Sequence, residues 1–196
     1  MARKKSVKKS ANDFKARAEA ITAFTSAATK NLTEQQVSWV YEYGILRLYR
    51  EFEALMLDVL VGAINNDTAT FATRTGITFP KHLTDEVCEF LIIGNGYFDF
   101  KGRDGLIQTL KTYVPADHFL VTAVKKEKYK KSLEQLSTLR NLSAHNSAVA
   151  KTRAKEAVQQ KRMPEAGSWL KKQQRFEDII GRLKELADEI HAAAPY

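Results

Sequence analysis

The sequence is poor in the residues on which disulfide-linked and metal-bound folds depend. The chain of 196 residues has a single cysteine, Cys88, and therefore cannot form an internal disulfide. Cys88 lies in the apolar run VCEFLII, where a small buried hydrophobe is a simpler interpretation than a nucleophile. The four histidines are not spaced as metal ligands are, so neither a metal nor another cofactor is expected.

Long apolar runs and several common catalytic motifs are also absent. No stretch approaches the ~20 apolar residues that a membrane-spanning helix needs. No apolar segment of signal-peptide type follows the basic start MARKKSVKKSAND, so we expect a cytoplasmic protein without membrane contacts. Gly-rich phosphate loops of Walker or Rossmann type, HExxH and G-x-S-x-G do not occur, which argues against a P-loop ATPase or a zinc enzyme.

Positive charge, in contrast, is in excess. Thirty-one lysines and arginines face 23 acidic residues, giving a net charge of +8. Such an excess favours an anionic partner, and nucleic acid is the commonest one. The cations concentrate at residues 3–9, 125–131 and 151–172. The candidates for contact with an RNA backbone are Lys125, Lys126, Lys128, Lys130, Lys131, Lys151 and Arg153.

Apolar periodicity predicts an all-α protein, a helical bundle of about five helices. Thr33 and Gln36 form a capping-box signature that opens a long helix. Met163-Pro164-Glu165 is a helix start with proline at the first position. We expect a single domain at residues 12–196, preceded by a basic tail at 1–11, in which residues 3–9 are disordered when free. The predicted helices cover residues 12–30, 34–65, 84–93, 104–114, 125–146 and 163–190.

Four segments are less well determined by the pattern. Residues 67–83, rich in threonine, are expected to be a loop. Residues 84–93 favour a helix over the alternative hairpin FLII-GNG-YFDF. Residues 118–124 fit either a helix or a strand, and residues 151–162 fit either a helical extension or a mobile arm.

The segment RNLSAHN, residues 140–146, carries the clearest chemical signal. It places Arg140 five residues before His145. A ribonuclease that uses no metal needs such a pair, because the ribose 2′-OH is the nucleophile. An imidazole can move the protons, and a guanidinium can hold the phosphate and stabilise its extra charge. Asn141 is a candidate for orienting the arginine or binding the phosphate.

Helix geometry constrains this pair. Five positions separate two side chains by about 140° on a regular helix, so Arg140 and His145 cannot share a face of one. Either the helix breaks near Ser143–Asn146, or the residues cooperate across an interface. A two-fold dimer that pairs this helix with its copy would bring both residue types around one cleft.

RNLSAHN matches the Arg-Asn-x-x-x-His pattern of the HEPN superfamily, which the chain resembles. The resemblance extends over residues 35–190 in architecture, but only the motif is specific. It implies a metal-independent endoribonuclease with Arg140, Asn141 and His145 in its active site. It also implies a homodimer with a composite cleft, a role in toxin–antitoxin or antiphage defence, and an antitoxin or defence-complex partner. Ser147 stands where a subset of the family has tyrosine, so functions tied to that tyrosine are not implied.

Two further classes of function remain open. Some HEPN proteins bind rather than cut, so a non-catalytic RNA- or nucleotide-binding module that regulates a partner protein is the alternative. A protein-interaction adaptor in a defence complex is the third class, after the nuclease and the binding module.

Glu53 is a candidate from periodicity alone. It falls at the edge of the apolar arc of the long helix, whereas Glu51 is expected to point away from that arc. A carboxylate on a core face needs a partner, and Arg140 lies on the apolar side of its own helix. We hypothesise that Glu53 orients Arg140. The alternatives are a rim carboxylate that reaches solvent and a pair with Arg50.

Overall fold

The computed structural model describes residues 4–195, and these form ten helices and no strand. The expected all-α class is confirmed, but the number of helices exceeds the expected five or so. None of the described helices is both long and apolar enough to cross a membrane. The helices are α1 (Val7–Ala28), α2 (Glu34–Asn66), α3 (Thr68–Thr75), α4 (Asp85–Ile93), α5 (Gly102–Tyr113), α6 (Phe119–Lys125), α7 (Glu127–His145), α8 (Ala148–Ala157), α9 (Ala166–Leu170) and α10 (Arg175–Ala193).

The long helix α2 is the central element of the bundle. The predicted capping box is present, since Thr33 accepts from the Gln36 backbone while the Gln36 side chain accepts from the Thr33 backbone. Helices α1, α4, α7 and α9 pack around α2. Each large apolar side chain buried there contributes roughly 2 kcal/mol to stability. The fully buried residues on this helix include Ile45, Leu48, Phe52, Met56, Val59 and Leu60.

One acidic residue of α2 lies where the sequence did not place it. Glu51 was expected to point away from the core, but only 5% of it is exposed. Its two carboxylate oxygens pair with Arg17 of α1 at 2.8 Å and with Arg47 at 2.6 Å. The prediction was wrong because α1 covers this face of α2, and two arginines neutralise the carboxylate there.

Helix α7 carries the motif and behaves as its sequence predicts. The predicted stripe of Tyr129, Leu133, Leu136 and Leu139 is buried. The helix continues to His145 and ends at Asn146, whose φ of 41° is left-handed. The Ser147 side chain then accepts from the Ala150 backbone and starts α8.

The N-terminal part of the bundle starts earlier than predicted. Ser6 caps α1, and Val7 and Ala11 are fully buried. Residues 7–11 are therefore helical and packed against the bundle, and the prediction of disorder is wrong for residues 7–9. Residue Lys5 is also anchored, through a 2.5 Å contact between its Nζ and Asp58. Residues 1–3 of the expected tail lie outside the described residues.

The segments with weaker patterns are mostly helical. Residues 68–75 form α3 rather than loop, because Asp67 caps the helix and Gly76, with φ of 69°, ends it. The helix predicted at 84–93 is confirmed as α4, against the hairpin alternative. Residues 119–125 form helix α6, and residues 148–157 form helix α8.

The predicted helix from residue 163 to residue 190 is interrupted. It is divided into α9 and α10 by a turn in which Gln173 and Gln174 adopt left-handed φ values of 56° and 55°. Gly167 allows α9 to lie directly against α2. A Cβ at this position would be 1.8 Å from the Ser38 carbonyl oxygen.

Candidate functional site

The C-terminal end of α7 opens on a pocket of about 280 Å³. The pocket lies between α7, α8 and the extended segment 99–101, and its size is near the lower limit of ligand sites. Two residues of the predicted motif, Asn141 and His145, line it. The lining residues are Asp99, Phe100, Lys101, Thr138, Asn141, His145, Ser147, Val149, Ala150 and Arg153.

His145 occupies the mouth of this pocket. It is the last residue of α7 and is exposed. Thr138 and Asn141 lie on the same face of the helix, seven and four residues before it, which is the spacing of neighbouring side chains. The imidazole makes no hydrogen bond or ion pair within residues 4–195. It is therefore available to accept a proton from a molecule in the pocket or to donate one to it.

Arg140 lies beside the pocket and does not line it. Its Nη1 donates to Asn141 Oδ1 at 2.8 Å, and Asn141 in turn faces the pocket. Its Cζ lies 4.5 Å from the centre of the Tyr49 ring, in a cation–π contact. Because α7 is regular, Arg140 and His145 point about 140° apart, as helix geometry predicts. The described residues engage one of the five guanidinium N–H groups, so the others remain free to bind an anion.

Tyr49 connects three parts of the site. Its hydroxyl donates to Asp99 Oδ1 and to the Phe100 carbonyl, both at 2.9 Å, and its ring stacks on Phe100. Burial, together with the Glu53 and Asp99 carboxylates, raises the pKa of the Tyr49 phenol, which stays a neutral donor. Tyr49 thus supports Arg140 on one side and fixes the segment that forms a pocket wall on the other.

Glu53 lies near this group without a direct ion pair. Its pKa is raised to about 7: burial raises the pKa most, the positive charge of Arg140 lowers it, the Asp99 carboxylate raises it, and a hydrogen bond from Tyr49 lowers it. Its Oε1 is buried and has no hydrogen-bond partner within residues 4–195. No carboxylate oxygen of Glu53 lies within 4 Å of Arg140 or Arg50 in this part of the chain. Glu53 therefore makes no ion pair with Arg140, and its orienting role stays a prediction.

The seven basic residues proposed for RNA contact fall into different environments. Lys126 and Lys128 pair with Glu189 at 2.8 and 2.6 Å, and Lys130 lies 3.7 Å from Glu127. Lys125, Lys131, Lys151 and Arg153 have no acidic partner in the described part of the chain, and of all seven only Arg153 lines the pocket.

Sequence reasoning missed three contributors to the site. Tyr49 and Asp99 are 50 residues apart, and nothing in either local sequence indicates their contact. Lys101 adds a second cation to the pocket, from a segment without a strong pattern. The sequence analysis included residues 97–100 only in the alternative hairpin FLII-GNG-YFDF.

Comparison with known proteins does not identify the site. No family model matches the chain, and no curated protein or solved structure is significantly similar to it. A functional assignment therefore depends on the residues around the pocket.

Proposed function

We propose that the protein is a metal-independent endoribonuclease whose active site is the pocket at the end of α7. The observation that carries this proposal is the exposed imidazole of His145 at the mouth of a pocket that also holds Asn141, Lys101 and Arg153. The two cations favour a phosphate, and the imidazole is suited to moving protons around it. RNA supplies the remaining reactant as its ribose 2′-OH.

The proposed reaction has one covalent step. The 2′ oxygen attacks the adjacent phosphorus, the bond from phosphorus to the 5′ oxygen breaks, and the 5′ oxygen takes up a proton. The products carry 2′,3′-cyclic phosphate and 5′-hydroxyl ends. His145 transfers the protons, Arg140 stabilises the charge on the phosphate, and Asn141 holds Arg140 next to the pocket. Glu53 tunes the position of Arg140.

A homodimer would complete this site. Arg140 and His145 diverge on a regular helix, so a second copy would bring the missing group to each cleft. Apolar side chains at this end of the molecule support such a contact: Val149 is 62% and Tyr97 80% exposed. From the RNLSAHN motif we further propose a HEPN-like bundle and a cytoplasmic role in toxin–antitoxin or antiphage defence. We also propose an antitoxin or defence-complex partner.

The alternative function is a non-catalytic RNA- or nucleotide-binding module that regulates a partner protein. One observation favours it. The Arg140 guanidinium rests on Tyr49 and Asn141 outside the pocket lining, as a structural arginine would.

A comparison of the wild type with His145→Ala separates the two functions. We expect the wild type to cleave RNA in EDTA and the variant to lose about 100-fold or more in rate, since proton transfer accounts for a factor of that size. Fluorescence anisotropy should show RNA affinity unchanged within about twofold, because His145 carries little of the binding charge. His82→Ala, another exposed histidine, is the control. RNA binding without cleavage in any variant would identify the binding module instead, and cleavage by His145→Ala at the wild-type rate would rule out the mechanism.

A further inference from the structure

A cavity larger than the pocket at the end of α7 lies away from the motif. It has a volume of about 710 Å³ and runs between the first half of α7 and the first half of α10. Val158 and Gln160 after α8, Trp169 of α9 and Gln173 also line it. This volume is well within the range of small-molecule sites. None of Arg140, Asn141 and His145 lines it.

Three polar groups at this cavity have no partner within residues 4–195. Ser132 and Gln135 are buried, 7% and 5% exposed, and neither side chain makes a hydrogen bond there. The indole Nε1 of Trp169, also 7% exposed, is a buried donor without an acceptor. Buried polar groups are almost always hydrogen-bonded. The Trp169 Nε1 is such an exception, whereas the polar atoms of Ser132 and Gln135 keep contact with solvent and are free to bind a molecule in the cavity.

The wall next to Trp169 is held in a costly conformation. Gln173 and Gln174 are consecutive non-glycine residues with left-handed φ values of 56° and 55°. Arg175 fixes them: its guanidinium stacks 4.6 Å from the Trp169 ring and donates to Gln173 Oε1 at 2.6 Å and to the Trp169 carbonyl at 3.2 Å. Such strained residues concentrate at functional sites.

The charges around the cavity divide into neutralised and free groups. Lys128 pairs with Glu189, and Arg182 with Glu185. Lys131 is exposed and has no acidic partner among the described residues, and Glu177 and Asp178 have no ion pair there. The groups without an ion pair are thus the Lys131 ammonium, two carboxylates and the Arg175 guanidinium, which is held by Trp169 and Gln173, together with the neutral Gln135 amide.

We propose that this cavity binds a nucleoside monophosphate. The amide of Gln135 can donate to and accept from one edge of a base, as glutamine does with adenine. Carboxylates such as Glu177 and Asp178 bind ribose hydroxyls in other nucleotide sites. Lys131 is placed to bind the phosphate. This binding site is independent of the proposed nuclease activity and its residues.

The test is equilibrium binding of AMP, GMP, CMP and UMP and of the matching nucleosides, followed by Trp169 fluorescence in a Trp39→Phe background. Trp39 is 52% exposed, so its replacement should not disturb the fold. We expect Lys131→Met to weaken binding of the preferred monophosphate about tenfold, the size of a lost charged hydrogen bond, and to leave nucleoside binding unchanged. Lys130→Met is the matched control, because Lys130 is also exposed, adjoins Lys131 and does not line the cavity.

Gln135→Met should weaken both the nucleotide and the nucleoside about tenfold, with its fold checked by thermal melting. Three results would overturn the proposal. The first is no binding of any of the four nucleotides up to about 5 mM, a concentration above the weakest specific affinities. The second is equal affinity for Lys131→Met and Lys130→Met. The third is inorganic phosphate binding as tightly as the nucleotides.

Discussion

The two ends of α7 use positive charge in opposite ways. At the N-terminal end Lys126 and Lys128 both bind Glu189 of α10. Although burial opposes it, the hydrogen bonds from these lysines lower the pKa of Glu189 to about 2. At the C-terminal end Arg140 has no acidic partner within ion-pair distance among the described residues. Neutralised cations join helices, whereas unpaired cations beside a pocket are available to an anionic substrate.

Removal of the unpaired arginine should give the largest effect. Arg140→Ala takes away the charge that is proposed to stabilise the phosphate, so the cleavage rate should fall about 100- to 1,000-fold. Arg140→Lys keeps the charge but loses the fork geometry and should recover only part of this loss. Single-turnover cleavage measures both, with Arg50→Ala as the control at an exposed arginine of α2. If Arg140→Ala cleaves RNA as fast as the control, Arg140 has only a structural role, like the paired lysines at the other end of α7.

Tyr49 provides a second comparison, between the ring and its hydroxyl. Tyr49→Leu removes the ring under Arg140 and with it the cation–π contact. The cleavage rate should fall about tenfold, which corresponds to the energy of such a contact. Tyr49→Phe keeps the ring and loses only the hydrogen bonds to Asp99 and Phe100, so its rate should fall less than about threefold. Urea denaturation corrects for the stability that both variants lose. Equal rates for the two variants would exclude a role of the ring in positioning Arg140.

Glu53 predicts a pH effect on stability. Its pKa is raised to about 7 in the folded protein from an ordinary value of 4.5. The folded state then binds more protons than the unfolded state between these values, so stability falls as pH rises through this window. Glu53→Gln should remove the dependence and gain about 1–2 kcal/mol over the wild type at pH 8, and much less at pH 5. Urea denaturation at both pH values gives the difference. Parallel stability curves would mean that Glu53 is ionised without cost.

The cations at Lys126, Lys128, Lys151 and Arg153 should have the smallest effects on RNA binding. The double variant Lys151→Met/Arg153→Met removes unpaired cations near the pocket, and each lost phosphate contact should reduce the slope of log affinity against log salt by about 0.7 for single-stranded RNA. Lys126→Met/Lys128→Met removes paired cations and should leave that slope unchanged, with roughly 1–3 kcal/mol lost in stability because Glu189 keeps its charge without either partner. RNA binding at several salt concentrations makes the comparison. The reverse order of the two variants would contradict the distinction between paired and unpaired cations.

Local signals allowed much of the fold to be predicted from the sequence. The capping box at Thr33 and the terminator at Asn146 depend on nearby residues, and both are present as expected. The buried stripe of α7 follows from apolar spacing alone. The pairing of Glu51 with Arg17 could not be predicted in this way, because it requires knowledge of which face α1 covers.

The site was less predictable than the fold for the same reason. The Arg140 and His145 positions came from a short motif, but the support of Arg140 by Tyr49 arises only when α2 and α7 pack together. The turn at Gln173 and Gln174 is likewise invisible to the sequence, since glutamine has no preference for a left-handed φ. Both features are tertiary in origin, and both lie where a ligand is proposed to bind.

Analysis of cleavage products tests the central claim most directly. An RNA cut by the wild type in EDTA should yield only 2′,3′-cyclic phosphate and 5′-hydroxyl ends. The same RNA with a 2′-deoxy sugar at the cleaved nucleotide should remain intact, because the nucleophile is gone. Cleavage of the deoxy-substituted RNA, or products with 5′-phosphate ends, would contradict proton transfer by His145 to and from the RNA's own hydroxyl groups.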